Sequence, residues 1–363
     1  MATEGEEGLR KFASKHRKDT RSNPKQVLKC NSSIYGGPGC GHEFEMLIHA
    51  VHTKTCGCTQ TQPEPSIFAR IVVDDDDKVV GYLIAAAFVD DLRYFGTNPE
   101  REKYMRDVVT KVKVTFEKPP VAEFVAIETY QDFEYNTGEL KMPRYWRMAA
   151  EGFKQYFPGG MKERKVPITV YDEKILLEVP TDEEIKEAST LPFREILGVM
   201  SFPSSCCKFE IKYAVSVIGS RRGGWSSKHF QVLLKAFEYG VSTCEIGLIY
   251  SKGLDPRGGN VLYACAGASL KIPRPHGCRI TMMNGAALSL EAKKHTATAP
   301  SSCAAEVKEL FNCSVRVKGI RNLLTELGMH QQRPTVVYQD NESACKIANN
   351  RGVAVHHVAE QGK

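Results

Sequence analysis

The chain has 363 residues, 42% hydrophobic and 25% charged, with a formal charge of +6 and a pI near 8.6. That length fits two or three domains with ordinary cores, and the composition excludes a wholly disordered polymer; the modest basic balance permits a polyanionic partner without demanding one. No run approaches the ~20 apolar residues of a membrane span, and Met1–Gly8 lacks the apolar core of a secretory signal, so the expectation is an intracellular chain, cytoplasmic or nuclear, with no membrane partner. The twelve cysteines are irregularly spaced, which favours reduced thiols over a disulfide framework.

Residues 1–28 are expected to form a basic flexible tail, with eight Lys or Arg against one Asp between Arg10 and Lys29. A helical stretch covers Phe44–Val51. Ser66–Val73, the acidic turn Asp74–Lys78 and Val79–Phe88 predict a hairpin, and the apolar run Tyr82–Phe88 predicts a strand buried on both faces. Asn98–Phe116 reads as a helix with Asn98 as N-cap and Pro99 at the first position. Val121–Glu134 and Glu139–Lys141 flank a turn at Asn136–Gly138, and a further helix spans Pro143–Phe157. Residues 158–190, rich in charge and proline, read as a linker. Thr181–Gly240 is mostly helical, with breaks at Pro192, Pro203 and Arg221–Gly224.

The pattern then changes. Asn260–Leu270, Cys278–Asn284 and Ala286–Lys293 predict three consecutive strands. A long helix over Ser301–Leu327 follows, then a strand at Thr335–Gln339 and a helix at Asn341–Asn349. Three antiparallel strands, a helix, a parallel strand and another helix make an α/β module.

Chemistry is concentrated in a few places. Asp90 and Asp91 end the apolar run, before Leu92–Phe95 resumes a strand pattern. Two carboxylates side by side repel by ~4 kcal/mol at near-surface dielectric, and a divalent cation offsets that. The pair suits two-metal nucleotidyl transfer, in which carboxylates on a rigid hairpin fix two ions. Zinc is not expected: Cys30, Cys40, His42, His49, His52, Cys56 and Cys58 cluster, yet their spacing does not give two matched pairs. Cys206–Cys207 is too tight for a disulfide or a shared metal. Arg221, Arg222 and Lys228 around Trp225 suit phosphate contact and base stacking, against the plainer reading of a helix start with a buried tryptophan.

Phe88-Val-Asp-Asp91 resembles the Tyr-Val-Asp-Asp box of the reverse transcriptase in copia-type retrotransposon Pol polyproteins. Ile34–Gly36 and Glu64–Phe68 resemble the segment upstream of that box. Glu123–Glu128 is similar to the family's Phe-Leu-Gly-Ile-Glu strand, with Ala126 in place of the glycine. Leu191–Gly198, Ile211–Ser216 and Trp225 before Leu233–Tyr239 follow the order of its connecting region. The resemblance implies a mixed α+β and α/β, multidomain fold: a partial reverse-transcriptase palm (29–96), a thumb-like region and linker (97–180), a mostly helical connection (181–258), a ribonuclease H-like domain (259–349) and a tail (350–363).

It also implies RNA-directed DNA polymerisation with Mg²⁺ or Mn²⁺ at Asp90 and Asp91, using dNTPs on an RNA template, and cleavage of the RNA–DNA hybrid through Glu306 and Asp340. Two departures point to a truncated, impaired copy. The family's third polymerase aspartate, on an earlier palm strand, has no counterpart in a strand pattern here. The first ribonuclease aspartate falls at Gly267, which has no side chain to ligate a metal. The alternatives are a non-catalytic nucleic-acid binder and a non-functional retroelement remnant.

Overall fold

The computed structural model describes residues 40–116, 121–132, 134–220, 224–251, 253, 259–270 and 274–350. The chain divides into two compact units, one ending at Val51 and one beginning at His52. Among the described residues the first unit contributes helix α1 (Cys40–Ala50).

The second unit opens with a four-stranded antiparallel sheet in the order β1 (Thr59–Gln60), β2 (Ile67–Val73), β3 (Val79–Phe88) and β4 (Asp91–Gly96). Helix α2 (Asn98–Val109) packs against β3 and β4. Its Tyr104 and Val108 are buried with Leu83 and Ala85 of β3 and with Phe68 of β2. The His52 ring stacks on Phe68 at 4.4 Å and meets the Tyr104 hydroxyl at 2.9 Å. Strand β3 therefore alternates. Gly81, Leu83 and Ala85 are buried, whereas Tyr82 and Phe88 on the other face are 40% and 55% exposed. The expectation of a strand buried on both faces is corrected: a helix covers one face only, as suits an antiparallel sheet. The N-cap of α2 is Thr97 rather than Asn98, and its Oγ1 accepts the Tyr82 N–H at 3.4 Å, tying the helix start to β3. The helix stops at Val109, ahead of Val112, Val114 and Thr115, whose β-branched side chains disfavour it.

A second sheet runs in the order β5 (Val121–Phe124), β6 (Ile127–Asp132), β7 (Thr137–Lys141) and β8 (Leu248–Ser251). Strand β8 was not legible in the sequence; it joins from more than a hundred residues downstream, pairing Leu140 with Leu248. Between β7 and β8 lies a helical body. It comprises α3 (Pro143–Phe153), α4 (Val170–Leu177), α5 (Asp182–Ala188), α6 (Phe193–Ser201), α7 (Pro203–Cys206), α8 (Lys212–Gly219) and α9 (Ser227–Ser242). Trp146, Phe193, Ile196, Met200, Ile218, Leu233 and Phe237 form its core.

Residues 158–190, read as a linker, instead carry α4 and α5. Each is opened by a capping box, Thr169 with Asp172 and Thr181 with Glu184. The spacing of threonine and acid three residues apart was present in the sequence, and it satisfies orphan N–H groups at each helix start. Asp172 is further held by Lys235 of α9 at 2.6 Å.

The last module is a sheet in the order β11 (Ala286–Lys294), β10 (His276–Met283), β9 (Tyr263–Ser269) and β12 (Val336–Tyr338). The first three strands are antiparallel and β12 is parallel to β9. Helix α10 (Ser302–Glu326) supplies the crossover, and α11 (Glu342–Asn350) follows β12. Leu310, Cys313, Val317 and Leu324 of α10 pack on Ala264 and Ala266 of β9. In this module the sequence-expected order of elements is the observed one, and the fold is a mixed, multidomain α and β architecture.

Candidate active-site residues

Strands β3 and β4 are joined by the two-residue loop Val89–Asp90, with Phe88 paired to Asp91. Val89 adopts φ +53° while Asp90 stays outside the positive range. A hairpin with positive φ at its first central position has the signature of a II′ turn, which glycine fits and a β-branched residue strains by ~1–3 kcal/mol. The turn presents Asp90 and Asp91 to solvent.

The neighbouring loop Val125–Ala126 joins β5 to β6 with both residues at positive φ, 52° and 60°, the I′ pattern that also favours glycine. The Val125 N–H donates to Asp91 Oδ2 at 3.3 Å. The two strained hairpins are thus tied through one of the candidate carboxylates. Beside them lies a cavity of about 550 Å³ lined by Asp90, Asp91, Arg93, Arg101, Lys113 and Glu123, with Tyr94, Tyr104 and Phe116 among its aromatic residues.

A two-metal centre needs carboxylates that bridge ions ~3.5–4 Å apart. Here the hairpin offers two, one of them already accepting a backbone N–H. Among the described residues no three His, Cys, Asp or Glu side chains converge. The donor set does not fit a two-metal centre.

In the ribonuclease H-like module, Glu306 sits in the second turn of α10, facing the end of β9. Its Oε2 accepts the Ala268 N–H at 2.7 Å and the Gln339 side-chain N–H at 3.1 Å. Burial pushes its carboxyl above the usual glutamate range, the nearby Asp340 and Glu309 charges push the same way, and the two hydrogen bonds oppose the shift. Asp340 follows β12 and is exposed. It does not cap the next helix: Asn341 does, its Oδ1 accepting the Ala344 N–H at 2.9 Å. Gly267 pairs with Cys278, and a Cβ built on it meets nothing within 4 Å. Glu306 therefore meets the end of β9 and Asp340 follows the neighbouring β12, while Gly267 within β9 offers no side chain to ligate a metal.

The sequence reading missed the most buried carboxylate of this module. Glu309, 1% exposed, accepts from Arg279 Nη1 at 2.7 Å and lies 3.0 Å from His295 Nε2. Arg279 also pairs with Glu291. Gly277 makes the space: a Cβ there would fall 2.1 Å from Glu309 Oε2. Glu306 and Glu309, three apart on one helix, were the signal, since that spacing puts both on the face turned to the sheet.

Of the residues expected to touch nucleic acid, Arg221 and Arg222 lie outside the described residues. Trp225 stacks on Phe193 with centroids 4.3 Å apart and planes 10° from parallel. The Arg194 guanidinium lies over the same indole at 5.6 Å. Lys228 is exposed and 3.6 Å from Glu178. Cys56 and Cys58 are buried free thiols, pushed up by burial to about 12 and about 11. Among the described residues no helix is long and apolar enough to cross a membrane.

No family model matches the chain. Its sequence is similar to the retrovirus-related Pol polyprotein from transposon TNT 1-94 of Nicotiana tabacum, 20% identical over 325 residues, covering 89% of this chain and 24% of that polyprotein. The retrovirus-related Pol polyprotein from transposon RE1 of Arabidopsis thaliana is 28% identical over 165 residues, covering 44% of this chain and 11% of that one. Solved structures similar to it include the foamy viral protease-reverse transcriptase dRH in complex with double-stranded DNA, with a TM-score of 0.37, 13% identity and coverage of 73% and 40% of the two chains. A second is the foamy viral protease-reverse transcriptase in complex with RNA/DNA hybrid, with a TM-score of 0.36, 13% identity and coverage of 77% and 36%.

The relatives in sequence are retroelement Pol polyproteins, and this chain is similar to them. More narrowly, the resemblance to copia-type retrotransposon Pol polyproteins carried by the Asp90–Asp91 box holds along most of the chain, which spans about a quarter of the first polyprotein's length.

Proposed function

We propose that this chain is a reverse-transcriptase and ribonuclease H-like segment of a retroelement Pol that binds nucleic acid and, by itself, catalyses neither polymerisation nor hybrid cleavage. In this reading residues 29–96 are the partial palm, 97–180 the thumb-like region, 181–258 the connection and 259–349 the ribonuclease H-like domain. One observation carries it: each candidate centre brings together two carboxylates and no third donor among the described residues.

Groups of such centres act as a unit, so the loss of one removes most of the activity. Gly267 cannot supply the missing ligand, and Glu306 Oε2 already accepts from Ala268 and Gln339. Arg93, Arg101 and Lys113 beside the hairpin supply positive charge for phosphate contact.

Primer extension on an RNA template with Mg²⁺ or Mn²⁺, and cleavage of an RNA–DNA hybrid, test the reading. The expected result is no product above a protein-free control, with binding to the hybrid whose log K falls linearly with log salt. Extension that disappears in Asp90→Asn would overturn it in favour of a working polymerase. Failure to melt cooperatively would favour a remnant without a stable fold.

A further inference from the structure

The sheet of β1–β4 has one face that α2 does not cover. Register fixes which side chains share it: Ile71 pairs with Tyr82 and Ile84 with Phe95, on the face opposite Leu83 and Ala85, which lie beneath α2. With Val73 and Phe88 they make an apolar surface across three strands, where an antiparallel sheet facing water ordinarily turns polar residues outward. Val73 and Phe95 are 49% and 41% exposed, in the range of Tyr82 and Phe88. Among the described residues no helix but α2 packs on β3 or β4. The C-terminal module reaches this face only at its border, where a Cβ on Gly328 would lie 3.5 Å from Ile71 Cδ1 and Glu326 accepts the Gln62 N–H at 2.8 Å. A contiguous exposed apolar surface of this kind marks an interaction site.

The charge around the face selects its occupant. The exposed turn at one end of β3 carries Asp74, Asp75, Asp76 and Asp77; the turn at the other end carries Asp90 and Asp91, against Lys78 and Arg93. We propose that this face docks an amphipathic helix of a partner protein, its apolar stripe on Tyr82 and Phe95 and its lysines or arginines at the two acidic ends. Strand β3 has 10 residues, a length of about 33 Å that a helix of about 20 residues matches. Such a helix would cover the second face of the sheet as α2 covers the first. Nucleic acid does not fit, because both ends repel phosphate. A second copy does not fit either: facing sheets align to within about 30°, so acidic ends would meet acidic ends. The inference does not rest on the retroelement reading, and failed primer extension leaves it intact.

The probe is a fluorescein-labelled peptide of leucine and lysine, about 20 residues long with its leucines on one helical stripe, titrated with the full chain and followed by anisotropy. Its controls are the same residues scrambled so that no stripe forms, and a leucine and glutamate version with the stripe kept. Saturable binding of the first peptide, with both controls at least about tenfold weaker, is the expected result. Tyr82→Ser and Phe95→Ser, each melting as wild type does, are expected to weaken binding about tenfold, the loss of one buried aromatic contact.

Asp75→Lys with Asp76→Lys, on an exposed turn, is expected to weaken binding by a similar factor and serves where the face variants do not fold. Glu183→Lys with Glu187→Lys makes the same change of charge on exposed positions of α5 and is expected to leave binding unchanged. Absence of saturable binding, equal binding of the scrambled peptide, unchanged affinity in a folded Tyr82→Ser, or an equal loss in the α5 variant would overturn the proposal. Loss of RNA–DNA hybrid binding in Tyr82→Ser would assign the face to nucleic acid and overturn it as well.

Discussion

The hairpin pair and the ribonuclease-module acids are opposite solutions to keeping carboxylates in a fold. Asp90 and Asp91 stand in solvent on a strained turn, and among the described residues Asp91 accepts one 3.3 Å contact from Val125. Glu306 and Glu309 are buried beneath a sheet, with their oxygens met by Ala268, Gln339, Arg279 and His295. An exposed acid on a strained turn contributes little to stability and remains open to a ligand. A buried, paired acid is part of the scaffold, because removing it strands its partner in a low-dielectric interior. The C-terminal α/β module therefore keeps Glu306 and Glu309 as structural members.

That contrast breaks first at Glu309. Glu309→Ala leaves Arg279 and His295 without their buried partner and is expected to cost ~3–5 kcal/mol in urea unfolding; a loss below that of an ordinary surface change would contradict the scaffold role. Next come the strained turns. Val89→Gly and Ala126→Gly are each expected to stabilise by ~1 kcal/mol, as strain of ~1–3 kcal/mol is relieved against the added entropy of the unfolded chain. A destabilised Ala126→Gly would show that the positive φ there costs nothing.

A smaller, pH-dependent effect belongs to Glu306. Its carboxyl is raised in the folded state, so its contribution is fully present below the unfolded value of about 4.5 and is lost as pH rises through the raised folded value. Glu306→Gln is therefore expected to gain on wild type as pH is raised through that window, read from paired melts at several pH values. The smallest effect is at the hairpin: Asp90→Asn is expected to change stability by no more than ~0.5 kcal/mol.

The same contrast explains what the sequence disclosed. The ribonuclease-like module was legible because its strands and long helix have clear periodicity, and because Asn284–Gly285, with both residues at positive φ, forms a turn of the ordinary chemical type. The hairpin around Asp90 was legible from composition alone, though its exposed second face was not, since an apolar run does not say how many faces are covered. Strand β8 was hidden because its pairing is far from it in sequence. The capping boxes at Thr169 and Thr181 were visible, yet charge and proline around them outweighed a signal two residues wide. Glu309 was hidden because its meaning depends on Gly277, a residue on another strand. Gly267 was found by resemblance, and the open space beside it is a property of the folded sheet.

The most direct test is Mn²⁺ binding to the full chain, followed by electron paramagnetic resonance, in wild type, Asp90→Asn and Glu306→Gln. The account predicts weak, millimolar binding that falls in Asp90→Asn and is unchanged in Glu306→Gln. Tight, micromolar binding of two Mn²⁺ per chain, or loss of binding in Glu306→Gln, would contradict it.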